Sequence, residues 1–350
     1  MTNPTGSDFL SRAEAAAADL LRLSPAYAPT PLLDLGEVAT RLGVDQLLAK
    51  DEGRRMLGSF KSLGGTYAGL RALARVAGTD IGGLLAARPD NLPALICASD
   101  GNHGLAVAAA ARFAGAPARI FLHGGVPALR ARRIEKQGGE IVWVQGTYDD
   151  AVDAAAAAAR TGAGILVADT TDDPADPVVG DVMAGYGVIA TEVRRQAEGH
   201  RPTHVFVQAG VGGLAAAMAE GLKDWMAPPA AIVAVEPETC ACVTAAFAHD
   251  RVVRIQGDLQ TAAEMLSCGE ASAPAMEILR RRGAEVLTVS EADLLEAPRR
   301  LRDGRGPATT PSGAAGFAGL CHALSSQRAR FGLGADSRVL VIVTERDLEE

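Results

Sequence analysis

The sequence predicts an α/β fold, with a mainly parallel sheet covered by helices on both faces. Three observations lead there. From residue 94 onward, short apolar runs alternate with longer helical stretches in a strict rhythm. The short runs are continuously apolar, as in strands buried on both faces. Several of them end in glycine-rich turns that open directly into helices. At 350 residues the chain exceeds one small core, so two lobes or one large α/β unit is expected.

In order, residues 10 to 23 read as a helix, which the proline-rich "SPAYAPTPLLDL" breaks. "VDQLLAKDE" (44–52) is a strand leading to "GSFKSLGGTY" (58–67), and helical spacing runs from Ser62 to about Ala77. "ALICAS" is a buried strand and "NHGLAVAAAARFAG" its helix. "ARIFLHG" is a strand followed by the helix "PALRARRIEKQG", with Pro127 near its first turn. "EIVWVQG", "YDDAVDAAAAAARTG" and "GILVAD" continue the alternation. The alanine run 154–159 is a strong helix former there. "GDVMAGYGVIATEVRRQ" is a helix, "THVFVQAG" a strand, "LAAAMAEGLKDWM" a helix and "AIVAVEPE" a strand. Further helices precede a last strand, "SRVLVIVTE". With no internal repeat and no long linker, any domain split is non-contiguous, one lobe inserted in the other.

Composition narrows the function. Hydrophobic residues make up 48% and aromatics only 4%, so the core is built from Ala, Val, Leu and Ile. Net charge is −8 with no basic run, which argues against nucleic acid as a partner. The five cysteines (Cys97, Cys240, Cys242, Cys268, Cys321) lack metal-type spacing and fit reduced thiols of a cytoplasmic protein. No signal peptide is read at the N-terminus, and no stretch of about 20 apolar residues could span a membrane.

The chemistry sits at the strand-to-helix junctions, where ligands of such sheets bind. "VFVQAGVGGLAA" holds Gly210, Val211, Gly212, Gly213 and Leu214, close to a dinucleotide fingerprint, with Glu236 ending the next strand. A glycine loop opening a helix attracts any phosphate through free N–H groups and the helix dipole, and a tight packing turn is the plainer reading. "ICASDGNHGLAV" places Asp100, Gly101 and Asn102 between a strand and a helix; capping explains one polar residue there, not the whole row. "TTPSGAAG" puts Ser312 at a helix start, and "VIVTE" ends a strand at Thr344 and Glu345.

Lys61 chooses among these readings. It stands beside Phe60 and just before the Gly64-Gly65 pair, a setting read as desolvating the amine and leaving room for a planar ligand. Apolar neighbours lower a lysine's pKa and make it a nucleophile. A nucleophilic lysine together with a phosphate loop is what pyridoxal 5′-phosphate requires. Asn102 can hydrogen-bond its ring hydroxyl, and a neutral hydroxyl such as Thr344 can meet the pyridine nitrogen.

"SFKSLGG", "SDGNHG", "QAGVGGLAA" and "SGAAG" occur in the order seen in fold-type II pyridoxal-phosphate enzymes, the tryptophan synthase β-like family, which the chain resembles. Within it, "AYAPTPLLDL", "LLAKDEGRRMLGSFKSLGGTYA", the aspartate of "SDGNHG", "VADTTDD…VMAGYGVI" and "VEPETCAC…TAAEMLSCGE" are similar to the diaminopropionate ammonia-lyases rather than to the threonine and serine dehydratases. The resemblance implies two open, mostly parallel αβα-sandwich domains with the cofactor in the cleft between them. The large domain would comprise 1–66 and 189–350, and the small inserted one 67–188. It also implies roles. Lys61 would carry the cofactor and remove the α-proton of the L-substrate, and Asp100 would be the second acid/base group, on the face of the D-substrate. Asn102 would hold the ring hydroxyl, Gly210 to Leu214 would wrap the phosphate, and Ser99, Asp169, Thr170 and Ser312 would line the substrate side. A homodimer follows by the same resemblance.

The chain departs from the family pattern at three places, read as clustering around the ring and the pocket rim. Thr310-Pro311 stands where a glutamate usually precedes Ser-Gly, Arg346 where glycine is usual, and Gly53 where these lyases typically have serine. The implied reaction is loss of the β-amino group of 2,3-diaminopropionate to give pyruvate and ammonia. The alternatives are a serine/threonine-type dehydratase or β-replacement synthase of secondary metabolism, an NAD(P)-dependent dehydrogenase, and a non-catalytic cofactor-binding protein. His103, at the helix start, is read as a hydrogen-bonding residue rather than a general base.

Overall fold

A computed structural model describes residues 6–99 and 101–347; Asp100, proposed above as an acid/base group, lies outside them. Ten strands form two sheets. They are β1 (Leu32–Asp34), β2 (Gln46–Asp51), β3 (Leu95–Cys97), β4 (Ala118–His123), β5 (Gly139–Val144), β6 (Ile165–Leu166), β7 (His204–Gln208), β8 (Ala231–Pro237), β9 (Glu285–Val289) and β10 (Arg338–Val343). One sheet has the order β1-β2-β10-β7-β8-β9, the other β5-β4-β3-β6. Every pairing is parallel except β1 with β2. All of β7, and all but the first residue of β8 and β10, are buried, the signature of strands covered on both faces.

The strand–helix rhythm and the alanine helix (Tyr148–Arg160) stand as read. Pro127 is the N-cap of the helix Ala128–Glu135, just outside its first turn. Two strands were not anticipated. β1 spans three residues within the proline-rich break, and β9, "EVLTV", lies in a region read as helical. Both are edge strands, where one unpaired side and partial exposure weaken the apolar signal. Among the described residues no helix is long and apolar enough to cross a membrane.

Two long helices join the layers that face the site, Lys61–Val76 and Pro177–Gln196. They cross at glycine. A Cβ on Gly185 would come 2.7 Å from Gly64 Cα, and one on Gly64 would come 2.8 Å from Val182 O. The borders 66/67 and 188/189 fall inside these two helices, so lobes divided there share them rather than hang on linkers.

Candidate active site

A cavity of about 1040 Å³ opens where the C-terminal ends of β3, β6, β7 and β10 converge. It is lined by Phe60, Lys61, Ser99, Asn102, Asp169, Thr170, Gly210 to Leu214, Ser312 and Thr344, so every described residue singled out from the sequence as a site residue meets there.

Lys61 arrives by a short antiparallel contact. The Phe60 N–H donates to Thr344 O (3.0 Å), the Arg346 N–H donates to Gly58 O (3.0 Å), and Ser59 bridges Glu345. This fastens the start of the lysine helix to the end of β10. The Lys61 amine lies 5.4 Å from the Phe60 ring centroid and 5.7 Å from that of Tyr186, and donates to Asp169 Oδ2 at 2.5 Å. Burial pushes the ammonium pKa down, but the Asp169 carboxylate outweighs it, and the pKa lies above the usual lysine value. This corrects the lowered pKa expected from the apolar neighbours, because the decisive neighbour is remote in sequence. Burial likewise raises Asp169, and the Lys61 charge overturns that, holding the carboxyl below its ordinary range.

The glycine pair has a different purpose from the one anticipated. A Cβ on Gly64 would come 2.4 Å from Tyr186 Cε1, and one on Gly65 2.7 Å from Ala106 Cβ. These glycines admit neighbouring helices, not a planar ligand.

The loop after β7 opens its helix without a side-chain cap, the geometry that suits an anion. Gly212 has φ +95°, a left-handed conformation suited to glycine, and no side chain caps the helix Gly213–Leu222 that it opens. The resemblance to a dinucleotide site ends at Glu236. Its carboxylate accepts from Val243 N (2.7 Å), Thr244 N (2.8 Å) and Thr244 Oγ1 (2.7 Å), capping the helix Cys242–His249. Burial raises it to about 7 despite these bonds.

Asn102 is not a cap, since Gly101 holds that position; its amide donates to Glu345 Oε2. Glu345 also accepts from Thr310 Oγ1 (2.5 Å), and burial raises its pKa. Thr310 thus caps the helix Pro311–Ser326 through Gly313 N (3.0 Å) and holds a carboxylate that reaches the cavity from β10. Thr344 Oγ1 accepts from Gln208 Nε2 (2.8 Å), which leaves its own proton to donate. His103 Nε2 lies 2.8 Å from Val167 O, and burial lowers its pKa, in keeping with a hydrogen-bonding role.

The other departures pack on each other instead of lining the cavity. A Cβ on Gly53 would come 3.0 Å from Arg346 N, and one on Gly58 2.7 Å from Arg346 Nε. Sequence reasoning missed Tyr186, Gln208 and the segment 257–268 as cavity walls, and noted Glu345 only as a strand terminus. Tyr186 carried one readable signal: an aromatic flanked by Gly185 and Gly187 in a buried helix.

A lysine amine that shares a cavity with an uncapped, glycine-opened helix, at the carboxyl ends of parallel strands, is the arrangement that a pyridoxal-phosphate site requires. The residues fit that group at both ends: Lys61 for its carbonyl carbon, and the left-handed Gly212 turn for its phosphate. The chain belongs to the pyridoxal-phosphate dependent enzyme family, which matches residues 23–345. It is 32% identical over 341 residues to the diaminopropionate ammonia-lyase of Escherichia coli (strain K12), covering 92% of this chain and 85% of that protein. The crystal structure of the holo lyase from Escherichia coli aligns with a TM-score of 0.87 at 30% identity, covering 99% of this chain and 91% of that one. The same lyase in complex with an aminoacrylate-PLP azomethine reaction intermediate aligns at 0.85 with 30% identity, covering 96% and 89%.

Proposed function

We propose that this chain is a pyridoxal-phosphate-dependent ammonia-lyase that eliminates the β-amino group of 2,3-diaminopropionate, yielding pyruvate and ammonia. The observation that carries the reading is Lys61, the uncapped Gly213 helix and Asp169 sharing one cavity, in a chain 32% identical to such a lyase. Asp169 already accepts one ammonium at 2.5 Å. The β-ammonium of 2,3-diaminopropionate is the same chemical group, whereas the hydroxyl of serine or threonine gives that carboxylate no charge to neutralise.

Gly210, Val211, Gly212, Gly213 and Leu214 are assigned to the phosphate, Asn102 to the ring hydroxyl, Thr344 to the ring nitrogen, and Ser99, Thr170 and Ser312 to the substrate side. Once bound, pyridoxal phosphate supplies the electron sink that acidifies the α-carbon. Lys61 Nζ takes the α-proton of the L-isomer when it is drawn away from Asp169, because in that pair it holds its own proton. Asp100 is assigned the α-proton of the D-isomer from the opposite face. The β-ammonio group departs as neutral ammonia and needs no acid to protonate it. The two sheets, one from segments on either side of the other, support an inserted lobe 67–188 within 1–66 and 189–350. A cytoplasmic homodimer is proposed on the family resemblance.

The test is a panel of both enantiomers of 2,3-diaminopropionate, serine and threonine, assayed for pyruvate or the corresponding oxo acid. Asp100→Asn should cut turnover of D-2,3-diaminopropionate by about 10²–10⁴-fold and the L-isomer less. Equal small losses would remove Asp100 from the chemistry. Wild-type protein that turns over neither isomer but dehydrates serine or threonine would replace the lyase assignment with a dehydratase.

A further inference from the structure

We propose that Gln208 is a positioning residue that fixes the Thr344 hydroxyl as a proton donor toward the ring nitrogen of the cofactor, an inference that rests on the cofactor reading above. Gln208 is the last residue of β7, and Thr344 directly follows β10. The two strands are parallel neighbours, and both residues line the cavity at their carboxyl ends. Gln208 is 2% exposed and Thr344 4%.

The amide of Gln208 has one workable orientation. Its Nε2 lies 3.1 Å from Ser312 O, 2.9 Å from Gly313 O and 2.8 Å from Thr344 Oγ1. The two carbonyl oxygens accept and never donate, so the nitrogen end of the amide must face them. The other end shows the same constraint. Gln208 Oε1 is buried with no hydrogen-bond partner among the described residues, and turning the amide round would set that oxygen against both carbonyls. Thr344 Oγ1 therefore receives an N–H, and its own proton has no acceptor among the described residues. A hydroxyl in that state offers the cavity a donor. A pyridine nitrogen without a proton is purely an acceptor and matches it, whereas a protonated one needs a carboxylate. The neighbouring carboxylate, Glu345, already accepts from Asn102 on Oε2 and from Thr310 on Oε1. The Gln208 amide does not titrate, so the direction of donation does not reverse with pH.

The test is nitrogen NMR of the protein loaded with pyridoxal phosphate labelled at the ring nitrogen. Wild type should show an unprotonated, hydrogen-bonded nitrogen whose resonance holds steady over the pH range in which the protein stays folded. Thr344→Val should move it toward the position of a nitrogen with no donor. Gln208→Glu, whose carboxylate once ionised accepts the Thr344 proton, should move it the same way. Gln208→Glu added to Thr344→Val should move it no further, because the glutamine acts through the threonine. Thr344→Ser should keep the wild-type resonance. Each of Thr344→Val and Gln208→Glu should weaken pyridoxal phosphate binding about two- to tenfold, as for one neutral hydrogen bond. A protonated ring nitrogen in the wild type overturns the proposal. So does a resonance that Thr344→Val leaves in place, a result that stands whether or not the Gln208 variant folds. A Gln208→Glu shift that persists in full on the Thr344→Val background would make Gln208 a structural residue and overturn it as well. Wild-type protein that binds no pyridoxal phosphate would sink the cofactor reading itself, a separate failure that takes this inference with it.

Discussion

Two lysines from one stretch of chain meet carboxylates at nearly the same distance, and only one of them is placed for chemistry. Lys50 donates to Glu192 Oε2 at 2.6 Å, and Lys61 to Asp169 Oδ2 at 2.5 Å. Lys50 is fully buried and spends its remaining protons on Thr30 O (2.7 Å) and Gln196 Oε1 (2.9 Å). Around it, Arg55 donates to both Glu52 and Glu192, closing an ionic cluster inside the protein. Lys61 keeps 21% of its side chain open and has one carboxylate partner, itself 22% open. Burial pulls the Lys50 pKa down, while Asp169 holds that of Lys61 up. A depressed pKa, the usual mark of a reactive lysine, therefore falls on the wrong one. Access to a cavity and a single exchangeable partner are what separate a reagent from a strut.

The comparison breaks most sharply at Lys61. Lys61→Ala should lower kcat on the order of 10⁴-fold, and borohydride reduction of the loaded wild-type enzyme followed by peptide mapping should put the adduct on Lys61. An adduct on Lys50 would reverse the two assignments. The opposite member of the contrast is probed by Glu192→Gln, which strands the Lys50 charge and leaves Arg55 with Glu52 alone. Stability in a denaturant titration should fall by about 3–5 kcal/mol, with kcat of the folded fraction unchanged. A loss below about 1 kcal/mol would make the cluster ornamental. The smallest effect concerns the far end of the cofactor. Gly212→Asp puts a Cβ on a left-handed backbone and adds negative charge at the helix start, so cofactor affinity should drop by about 10²-fold. A variant that purifies fully loaded would place the phosphate elsewhere.

What could be read beforehand follows the range of the interactions. The strand–helix rhythm is a local pattern and stands in the structure as the sequence suggested, and the glycine loop and Lys61, also local patterns, line one cavity. Asp169 was named only by resemblance, yet it governs the Lys61 charge from across the cleft. Glu345 reaches Asn102 and Thr310 through contacts that no short window contains. β9 has only one neighbour, β8, and buries only Leu287 and Val289, so its pattern blends into the surrounding helices. The glycines were the instructive case. Gly64 and Gly65 were visible as a signal, but their reason lies in Tyr186 and Ala106 on other helices.

Of the ten strands, β10 is the last to be synthesised, yet it lies in the interior of its sheet, between β2 and β7. It pairs along its whole length with β2, from Arg338 opposite Gln46 to Val343 opposite Asp51, and it delivers Thr344 and Glu345 to the cavity. A nascent polypeptide that already carries Lys61 and the glycine loop therefore still lacks the wall between them. All of the other strands are made before β2 gains its second neighbour. Until then there is no completed pocket in which a reactive aldehyde could be trapped.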